Sequence, residues 1–393
     1  MSSSWFERFN AACTLRKAQH GWRERHLCSM QFDNSLRING KVYLNFSSND
    51  YLGLSHSNAL IKAWQEGAQL FGVGSGSSSH IIGYTSAHAE FERSLAQWLG
   101  YPRALIFNSG FAANQAVIHT LAQKKDAIIA DKLCHASILD AAHHSEAILT
   151  RFHHNDPVSL QQRLEQSRSA NKLVITEGVF SMDGDLAPLK EIATMAKGAQ
   201  ALLVVDDAHG IGAYGERGKG SCHLASVHPD ILVVTFGKAF GLSGAAILCD
   251  EVIADYFVQF SRHLIYSTSM PPALAYTLLK SLSVIDDGNE LRQQLNENIE
   301  YFKERVDKSR FMLSDSPTAI QPILVGSAQR ALKLSHYLQK NGIWCSAIRS
   351  PTVPINQARL RITLTAAHTF RDIDKLTEVL NAWQQLAGSC CRF

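Results

Sequence analysis

The stretches ALLVVDDAHG (residues 201–210) and ILVVTFGKAFGLSG (residues 231–244) decide the fold. Each begins as a short apolar run and ends in polar or small residues. Similar apolar runs occupy 103–110, 127–131, 172–178 and 245–249. Helix-length segments separate most of them, such as FAANQAVIHTLAQ (111–123) and APLKEIATMAKGAQ (187–200). Buried strands that alternate with helices predict an α/β fold with a mostly parallel sheet, covered on both faces.

After about residue 285 the pattern becomes that of a smaller α+β domain. A polar helical stretch at 285–306 comes first, and the further predicted elements are a strand at 319–326, a helix at 331–342, strands at 343–348 and 358–366, and a helix at 370–386. The sequence therefore predicts an N-terminal arm or helix (1–55), a large α/β domain (56–285) and a C-terminal α+β domain (286–393). Within the arm, Trp5, Phe9 and Trp22 belong to an apolar repeat typical of an amphipathic helix.

Composition argues against several classes of protein. The formal net charge is only +3 and the basic residues are scattered, so we do not expect nucleic-acid binding. No apolar run approaches the ~20 residues that a membrane-spanning helix needs. Glu7 and Arg8 interrupt the place where a signal peptide is apolar. The eight cysteines include no CxxC pair, which argues against zinc and fits reduced thiols in a cytoplasmic protein.

Polar residues follow most of the predicted strands of the large domain, and ligands of such sheets bind at the carboxyl ends of the strands. The strongest signal is TFGKAFGLSG (235–244), in which Lys238 follows an apolar strand among small residues. A lysine that is partly desolvated keeps a neutral amine, which can form a Schiff base with a carbonyl compound. Glycines beside it would let a flat ring approach the backbone. An exposed loop lysine is the alternative interpretation.

The stretch VVDDAHG (204–210) supplies a carboxylate at the end of a buried strand. A buried carboxylate must be paired, and no asparagine or arginine stands at this strand end, so a ligand cation is the expected partner of Asp206. A protonated pyridine nitrogen would suit it, and His209 could reach the phenolic oxygen of the same ring. The alternatives are a helix cap for Asp207 and a structural loop histidine at position 209.

Two weaker signals complete the pattern. In NSGFAANQAV (108–117), the backbone N–H groups of Gly110 and Phe111 begin a helix, which favours a phosphate group; an ordinary strand–helix turn is the alternative. His135 follows another strand end, where its ring could stack on a flat cofactor. A phosphate-binding P-loop at 215–221 is excluded, because the glycine it needs is replaced by Ala213.

A glycine turn, a histidine after a strand end, an Asp-x-x-His stretch and a lysine follow one another along the chain. With these features in this order, the sequence resembles the α-oxoamine synthases, which are pyridoxal-phosphate enzymes of fold type I. The resemblance covers nearly the whole chain, through NFSSNDYLGL (45–54), EGVFSMDGDLAPL (177–189), VDDAHG (205–210), TFGKAFGLSG (235–244), IYSTSMPPA (265–273) and RLRITLTAAHT (359–369). It implies pyridoxal 5′-phosphate as the cofactor and a transferase fold with the large and small domains already predicted.

The resemblance also implies roles around the cofactor ring. Lys238 would attach the cofactor and later act as acid and base, and Asp206 would bind the pyridine nitrogen. His209 and Ser181 would lie near the phenolic oxygen, while His135 would stack on the ring.

By the same resemblance, other residues hold the phosphate. Gly110, Phe111 and Thr235 would contact it within one subunit. Ser267 or Thr268 would reach a phosphate across the interface of a homodimer.

The resemblance also implies residues that bind the substrates. Arg361 resembles the arginine that grips the amino-acid carboxylate, whereas Thr352 and Arg23 resemble residues on the acyl side, and His135 would contact substrate as well. Two positions depart from the family pattern: Cys134 replaces a serine before the stacking histidine, and Ser350 stands where proline often occurs.

Four segments look closest to the family members that condense L-alanine with pimeloyl-CoA or a pimeloyl carrier protein in biotin synthesis: 48–56, 107–117, 262–272 and 347–354. The alternatives within the family are glycine C-acetyltransferase, 5-aminolevulinate synthase and serine palmitoyltransferase. A transaminase of the same fold and a cofactor-free interaction protein are more distant alternatives. The sequence does not distinguish a CoA thioester from a carrier-protein thioester.

Overall fold

The computed structural model describes residues 4–30, 34–307 and 311–389. The chain divides into two compact units. The first comprises Met1–Ser48, Met182–Gly184 and Gln294–Phe393, and the second comprises Asn49–Ser181 and Asp185–Gln293. Cys390 and Cys391, counted above among the cysteines, lie outside the described residues.

Strands and helices alternate along most of the described chain. The strands are β1 (Cys28–Met30), β2 (Ser35–Ile38), β3 (Lys41–Asn45), β4 (Arg103–Phe107), β5 (Ala127–Asp131), β6 (Ile148–Phe152), β7 (Lys172–Glu177), β8 (Leu202–Asp206), β9 (Ile231–Thr235), β10 (Ala245–Cys249), β11 (Met312–Leu313), β12 (Ile320–Gly326), β13 (Ile343–Trp344), β14 (Ser346–Ile348) and β15 (Ala358–Thr363). The α-helices are α1 (Ser4–Ala18), α2 (Asn58–Phe71), α3 (Ser86–Leu99), α4 (Gly110–Leu121), α5 (Ala136–His144), α6 (Pro157–Gln166), α7 (Leu189–Gly198), α8 (Gly220–Leu224), α9 (Glu251–Phe260), α10 (Arg262–Ile265), α11 (Pro272–Asp287), α12 (Asn289–Arg305), α13 (Ala328–Lys340) and α14 (Phe370–Ser389).

The second unit is built on a seven-stranded sheet with the order β4-β10-β9-β8-β7-β5-β6. Strand β10 is antiparallel to both β4 and β9, and the remaining pairs are parallel. No helix lies in the short connection 236–244 between β9 and β10, so β10 returns beside β9 in the opposite direction. The predicted mostly parallel sheet is confirmed.

Strand β6 was missed by the sequence analysis. It lies at the edge of the sheet, and Ile148 is 56% exposed while Thr150 and Arg151 are polar. An edge strand needs no continuous apolar run, because one side of it is solvated. By contrast, all five residues of β5, β9 and β10 are buried. The core of the unit lies between these strands and α4, α5 and α9.

The first unit contains two four-stranded sheets, β1-β2-β3-β13 and β11-β12-β15-β14. In the former, β13 pairs in parallel with β3 and joins Ile343 to Leu44 in register. This pairing places residues 1–48 in one unit with the C-terminal residues, whereas the sequence predicted a separate N-terminal arm. The boundaries after residues 48 and 293 also differ from the predicted boundaries after 55 and 285.

Two predicted elements of the C-terminal half need correction. The helical stretch 285–306 is broken at Gly288, between α11 and α12, since a backbone without a side chain weakens a helix. The predicted strand 343–348 is two strands in different sheets, β13 and β14. The remaining strands and helices appear near their predicted positions.

Helix α1 confirms the predicted N-terminal helix but not its amphipathic packing. Every residue from Ser4 to Ala18 is exposed, including Trp5 and Phe9, and the helix ends before Trp22. An apolar repeat of three to four residues therefore indicated the helix without indicating a buried face. Among the described residues, none of the helices has the length and apolar character needed to span a membrane.

Candidate active site

Lys238 follows β9 on a tight turn. Its carbonyl oxygen accepts a hydrogen bond from the Gly241 N–H at 2.8 Å, and Gly241 has φ of +69°, a conformation that favours glycine. The side chain is half-buried, and Nζ lies 3.3 Å from Oγ1 of Thr235, to which it donates. The glycine-rich turn therefore places the Lys238 amine next to the end of β9.

Asp206 ends β8 and is 5% exposed. Its Oδ2 accepts a hydrogen bond from Asn114 Nδ2 at 2.7 Å, and its Oδ1 accepts one from the Ala208 N–H at 3.0 Å. The expectation that only a ligand could partner this carboxylate is therefore wrong, because α4 brings an asparagine to the strand end. Both donors are neutral, however, so neither balances the negative charge.

A chain of hydrogen bonds links Asp206 to His135. Asn114 Nδ2 also donates to Ser137 Oγ at 3.0 Å, and that oxygen lies 2.8 Å from His135 Nδ1. The histidine exposes part of its ring, yet desolvation lowers its pKa, with Asp206 raising it and Lys238 lowering it further. The network fixes the ring orientation, while desolvation favours the neutral imidazole.

Glu177 is a buried carboxyl group at a strand end, to which the sequence analysis gave no individual role. It ends β7 and stands in register with Asp206 on β8. Burial, and then the charge of Asp206, raise the pKa of Glu177 well above its usual range, while a hydrogen bond from the His135 N–H opposes the shift. Burial beside Asp206 therefore favours the protonated form of Glu177.

Asp207 and His209, which follow Asp206 in the same loop, have different partners. The fully buried Asp207 accepts hydrogen bonds from the N–H and Oγ of Ser221, at 2.8 and 2.6 Å, and so caps α8. Burial raises the pKa of Asp207 to about 7. His209 is buried, and its Nδ1 lies 2.5 Å from Tyr51 Oη. Asp207 thus has the structural role left open above, and Tyr51 is a second residue that the sequence analysis missed.

The N-terminus of α4 begins beside the end of β9. Ser109 Oγ accepts a hydrogen bond from the Ala112 N–H at 3.2 Å. The N–H groups of Gly110 and Phe111 lie before it, at the start of the helix. A Cβ atom on Gly110 would lie only 2.6 Å from Thr235 Cγ2, so the two segments approach too closely for any side chain there. Phe111 is 45% exposed.

Thr268 and Ser267 lie elsewhere in the second unit. Both line a cavity of about 260 Å³ that also contains Asn108. Asn108 Nδ2 donates to the Thr268 carbonyl oxygen at 2.8 Å, and Thr268 forms a bridge with Ser78. These contacts hold the backbone of Thr268, while the residue itself is exposed.

Ser181 begins a short turn after β7. The Phe180 N–H donates to the Asp185 carbonyl oxygen at 3.0 Å, and Val179 bridges to Leu186. These contacts close the turn that begins at Ser181.

Three of the four predicted substrate residues, Arg23, Thr352 and Arg361, belong to the first unit, whereas His135 belongs to the second. Arg23 Nη2 donates to Thr352 Oγ1 at 3.1 Å, so the two residues expected on the acyl side lie in contact. Arg361, on β15, is 7% exposed, and its Nη1 donates to Thr363 Oγ1 at 2.9 Å. Arg349 donates to the carbonyl oxygens of His20 and Trp22 and so holds the segment before Arg23.

Comparison with known proteins decides the family. The family model for aminotransferase class I and II matches residues 41–380. The 8-amino-7-oxononanoate synthase of Salmonella paratyphi B is 55% identical over 380 residues, which cover 96% of this chain and 99% of that protein. The chain belongs to the 8-amino-7-oxononanoate synthase family. The resemblance noted from the sequence motifs is confirmed at this finer level.

Similar solved structures support this family assignment. The 8-amino-7-oxononanoate synthase of Francisella tularensis is 34% identical, with a TM-score of 0.77, and covers 88% of this chain and 98% of its own. Sphingomonas wittichii serine palmitoyltransferase is 28% identical, with a TM-score of 0.92, over 98% of this chain and 100% of its own. Fold type I and pyridoxal 5′-phosphate, both predicted, are confirmed.

The residues at the strand ends fit pyridoxal phosphate. Lys238 supplies a primary amine on a turn lined by glycine, and Asp206 supplies a buried carboxylate whose two donors are neutral. The start of α4 offers backbone N–H groups, and Gly110 leaves no room for a side chain. A ring with a cationic nitrogen, a carbonyl carbon and a phosphate group needs these three features together.

Proposed function

We propose that the chain condenses L-alanine with a pimeloyl thioester, giving 8-amino-7-oxononanoate, CO₂ and the free thiol carrier in biotin synthesis. The observation that carries this proposal is the lysine and aspartate pair at the ends of β9 and β8, in a chain 55% identical to curated synthases of this name. When bound, the cofactor withdraws electrons from Cα of the amino acid and so stabilises a carbanion there.

The chain's own residues have separate tasks around that chemistry. Lys238 attaches the cofactor and then carries the Cα proton, because its amine is the basic group at the strand end. Asp206 holds a proton on the pyridine nitrogen through a charge-assisted hydrogen bond. His135 stacks on the ring, and the Asn114–Ser137 network fixes its orientation.

The cofactor's oxygens have their own partners in this proposal. His209, supported by Tyr51, and Ser181 lie near the phenolic oxygen. Gly110, Phe111 and Thr235 bind the phosphate, for which the dipole of α4 is favourable.

Substrate recognition is assigned to the first unit. The guanidinium of Arg361 matches the planar carboxylate of alanine, a pairing that arginine makes with two parallel hydrogen bonds. The Arg23–Thr352 pair lines the path of the acyl chain. Both assignments rest on the match between the family's motifs and these positions.

A substrate panel tests the proposal. The purified holoenzyme is given alanine, glycine or serine, each with pimeloyl-, acetyl-, succinyl- or palmitoyl-CoA, and thiol release is followed together with product mass. We expect turnover with alanine and pimeloyl-CoA at a kcat/KM at least about tenfold above every other pair. Preference for serine with palmitoyl-CoA, or amino-group transfer to a 2-oxo acid without thiol release, would replace the proposal by a sister activity or a transaminase.

We also propose a cytoplasmic homodimer in which Thr268 reaches the partner's phosphate. Support comes from the family motif that contains Thr268 and from its exposed side chain. Light scattering of the holoenzyme should give twice the mass of one chain. Mixing Lys238→Ala and Thr268→Ala chains tests the sharing of residues, since a mixed dimer should keep one intact site only if Thr268 serves the partner subunit's phosphate.

A further inference from the structure

His154 lies between two carboxylates that come from different loops. Its Nδ1 is 3.1 and 3.2 Å from the two oxygens of Asp131, and its Nε2 is 2.7 Å from Oδ2 of Asp185. Carboxylates accept hydrogen bonds, so both ring nitrogens must donate, and an imidazole donates from both only when it is protonated. The geometry alone therefore indicates an imidazolium ion.

The surroundings support the same conclusion. The Asp131 side chain is fully buried, and that of His154 is 19% exposed, which limits screening of the pair by water. Burial lowers the pKa of His154, but the hydrogen bonds and charges of Asp131 and Asp185 outweigh it and raise the pKa to about 9. The ring edge also packs against Phe180, with centroids 4.4 Å apart.

The neighbouring Asn155 strengthens the link between the two loops. Its N–H donates to Asp131 Oδ2 at 2.9 Å, and its Nδ2 donates to Asp185 Oδ2 at 2.7 Å. Two consecutive residues after β6 therefore connect the same pair of carboxylates.

The loops that are joined carry residues of the proposed active site. Asp131 ends β5, and its Oδ1 accepts from the Leu133 N–H at 2.8 Å, two residues before His135. The Asp185 carbonyl closes the turn that begins at Ser181, by accepting from the Phe180 N–H. One charged ring thus connects the loop of the stacking histidine with the loop of a residue proposed at the phenolic oxygen.

We propose that His154 is a positioning residue, whose ring ties the His135 loop to the Ser181 loop and so sets the edge of the cofactor site. This inference rests on the function proposed above. His154 itself contacts neither cofactor nor substrate in it.

The test compares His154→Gln with His153→Gln in the holoenzyme. Glutamine is neutral and donates from one group only, so it cannot serve both carboxylates. His153 is a matched control, since its side chain is 71% exposed and its nearest acidic oxygen, on Asp156, is 3.9 Å away. We measure the affinity for pyridoxal phosphate and the pH titration of the bound cofactor's absorbance.

For His154→Gln we expect about tenfold weaker cofactor binding and a shifted spectral titration, while His153→Gln matches the wild type. In a Ser181→Ala background, His154→Gln should shift the titration no further, because both changes act at the same oxygen. Asp185→Asn provides an independent variant if His154→Gln does not fold.

Unchanged cofactor affinity and spectra in folded His154→Gln protein would overturn the inference, even if the melting temperature fell. Additive spectral shifts in the double variant would also overturn it. Failure of the wild type to bind pyridoxal phosphate would instead refute the proposed function, so the two failures can be told apart.

Discussion

The residues proposed to hold the cofactor, in the second unit, and the pair Arg23 and Thr352 proposed for the acyl substrate, in the first, have different surroundings. Asp206 is buried and has partners from its own loop and from α4, and a network extends from it to His135. Arg23 and Thr352 are exposed and are joined by one hydrogen bond. A buried and multiply bonded group tolerates little change, whereas an exposed pair adjusts at small loss of free energy. We therefore expect the chemistry to depend on the former and substrate affinity on the latter.

The largest expected effect is that of Lys238→Ala. Without the amine, the chain has no covalent attachment and no base at Cα, so turnover should fall by roughly 100- to 10,000-fold or more. Steady-state kinetics and the visible absorbance of the bound cofactor measure it. Lys197→Ala, an exposed change on α7, is the control and should behave as the wild type. A coloured and active Lys238→Ala protein would contradict the assignment.

Asp206→Asn should come next, because asparagine keeps the shape but removes the charge that holds the ring proton. We expect kcat to fall about 100- to 1,000-fold with cofactor still bound. Asp207→Asn is the matched comparison, because Asp207 is a buried acid with a structural role. This variant should change the melting temperature and leave kcat within about threefold of wild type. Equal loss of kcat in both variants would mean that the two neighbouring acids are not specialised as described.

Arg23→Ala should have a smaller effect, confined to the acyl substrate. Loss of a solvent-exposed hydrogen bond and its positive charge should raise KM for the pimeloyl thioester by about tenfold or less, with KM for alanine unchanged. Initial rates with each substrate varied separately measure this, and the exposed Arg25→Ala is the control. A fall in kcat as large as that of Asp206→Asn would contradict the proposed difference between the cofactor residues and the acyl-substrate residues.

Glu177→Gln should have the smallest effect on rate. Since its pKa is raised well above the usual range, the wild-type side chain is already neutral, and glutamine should change kcat by less than about threefold. A raised folded-state pKa means that the wild type loses stability as pH rises from its unfolded value through its folded value. The difference in melting temperature, variant minus wild type, should therefore become more positive as pH rises. A constant difference would show that Glu177 is ionised in the fold.

The sequence predicted the parts of the site that lie at the ends of apolar strands. Lys238, Asp206 and Gly110 each follow such a run, and local pattern is sufficient there because the strands are buried. It missed Asn114 and Tyr51, whose contacts with Asp206 and His209 span long stretches of chain and leave no local signal.

The same limit applies to the fold. Strand β6 has an edge position and a polar sequence, and the pairing of β3 with β13 joins residues about 300 apart. Patterns of apolar residues indicate elements, but they do not indicate which distant elements pair. Family resemblance supplied the roles of Arg23, Thr352 and Arg361, which no local pattern distinguishes from surface or structural arginines and threonines.

Reduction of the holoenzyme with borohydride, followed by peptide mass mapping, tests the central claim directly, since it fixes the cofactor to whichever amine holds it. The account predicts one reduced pyridoxyl phosphate per chain, on the peptide that contains Lys238. A label on another lysine, or no label in protein saturated with cofactor, would contradict it.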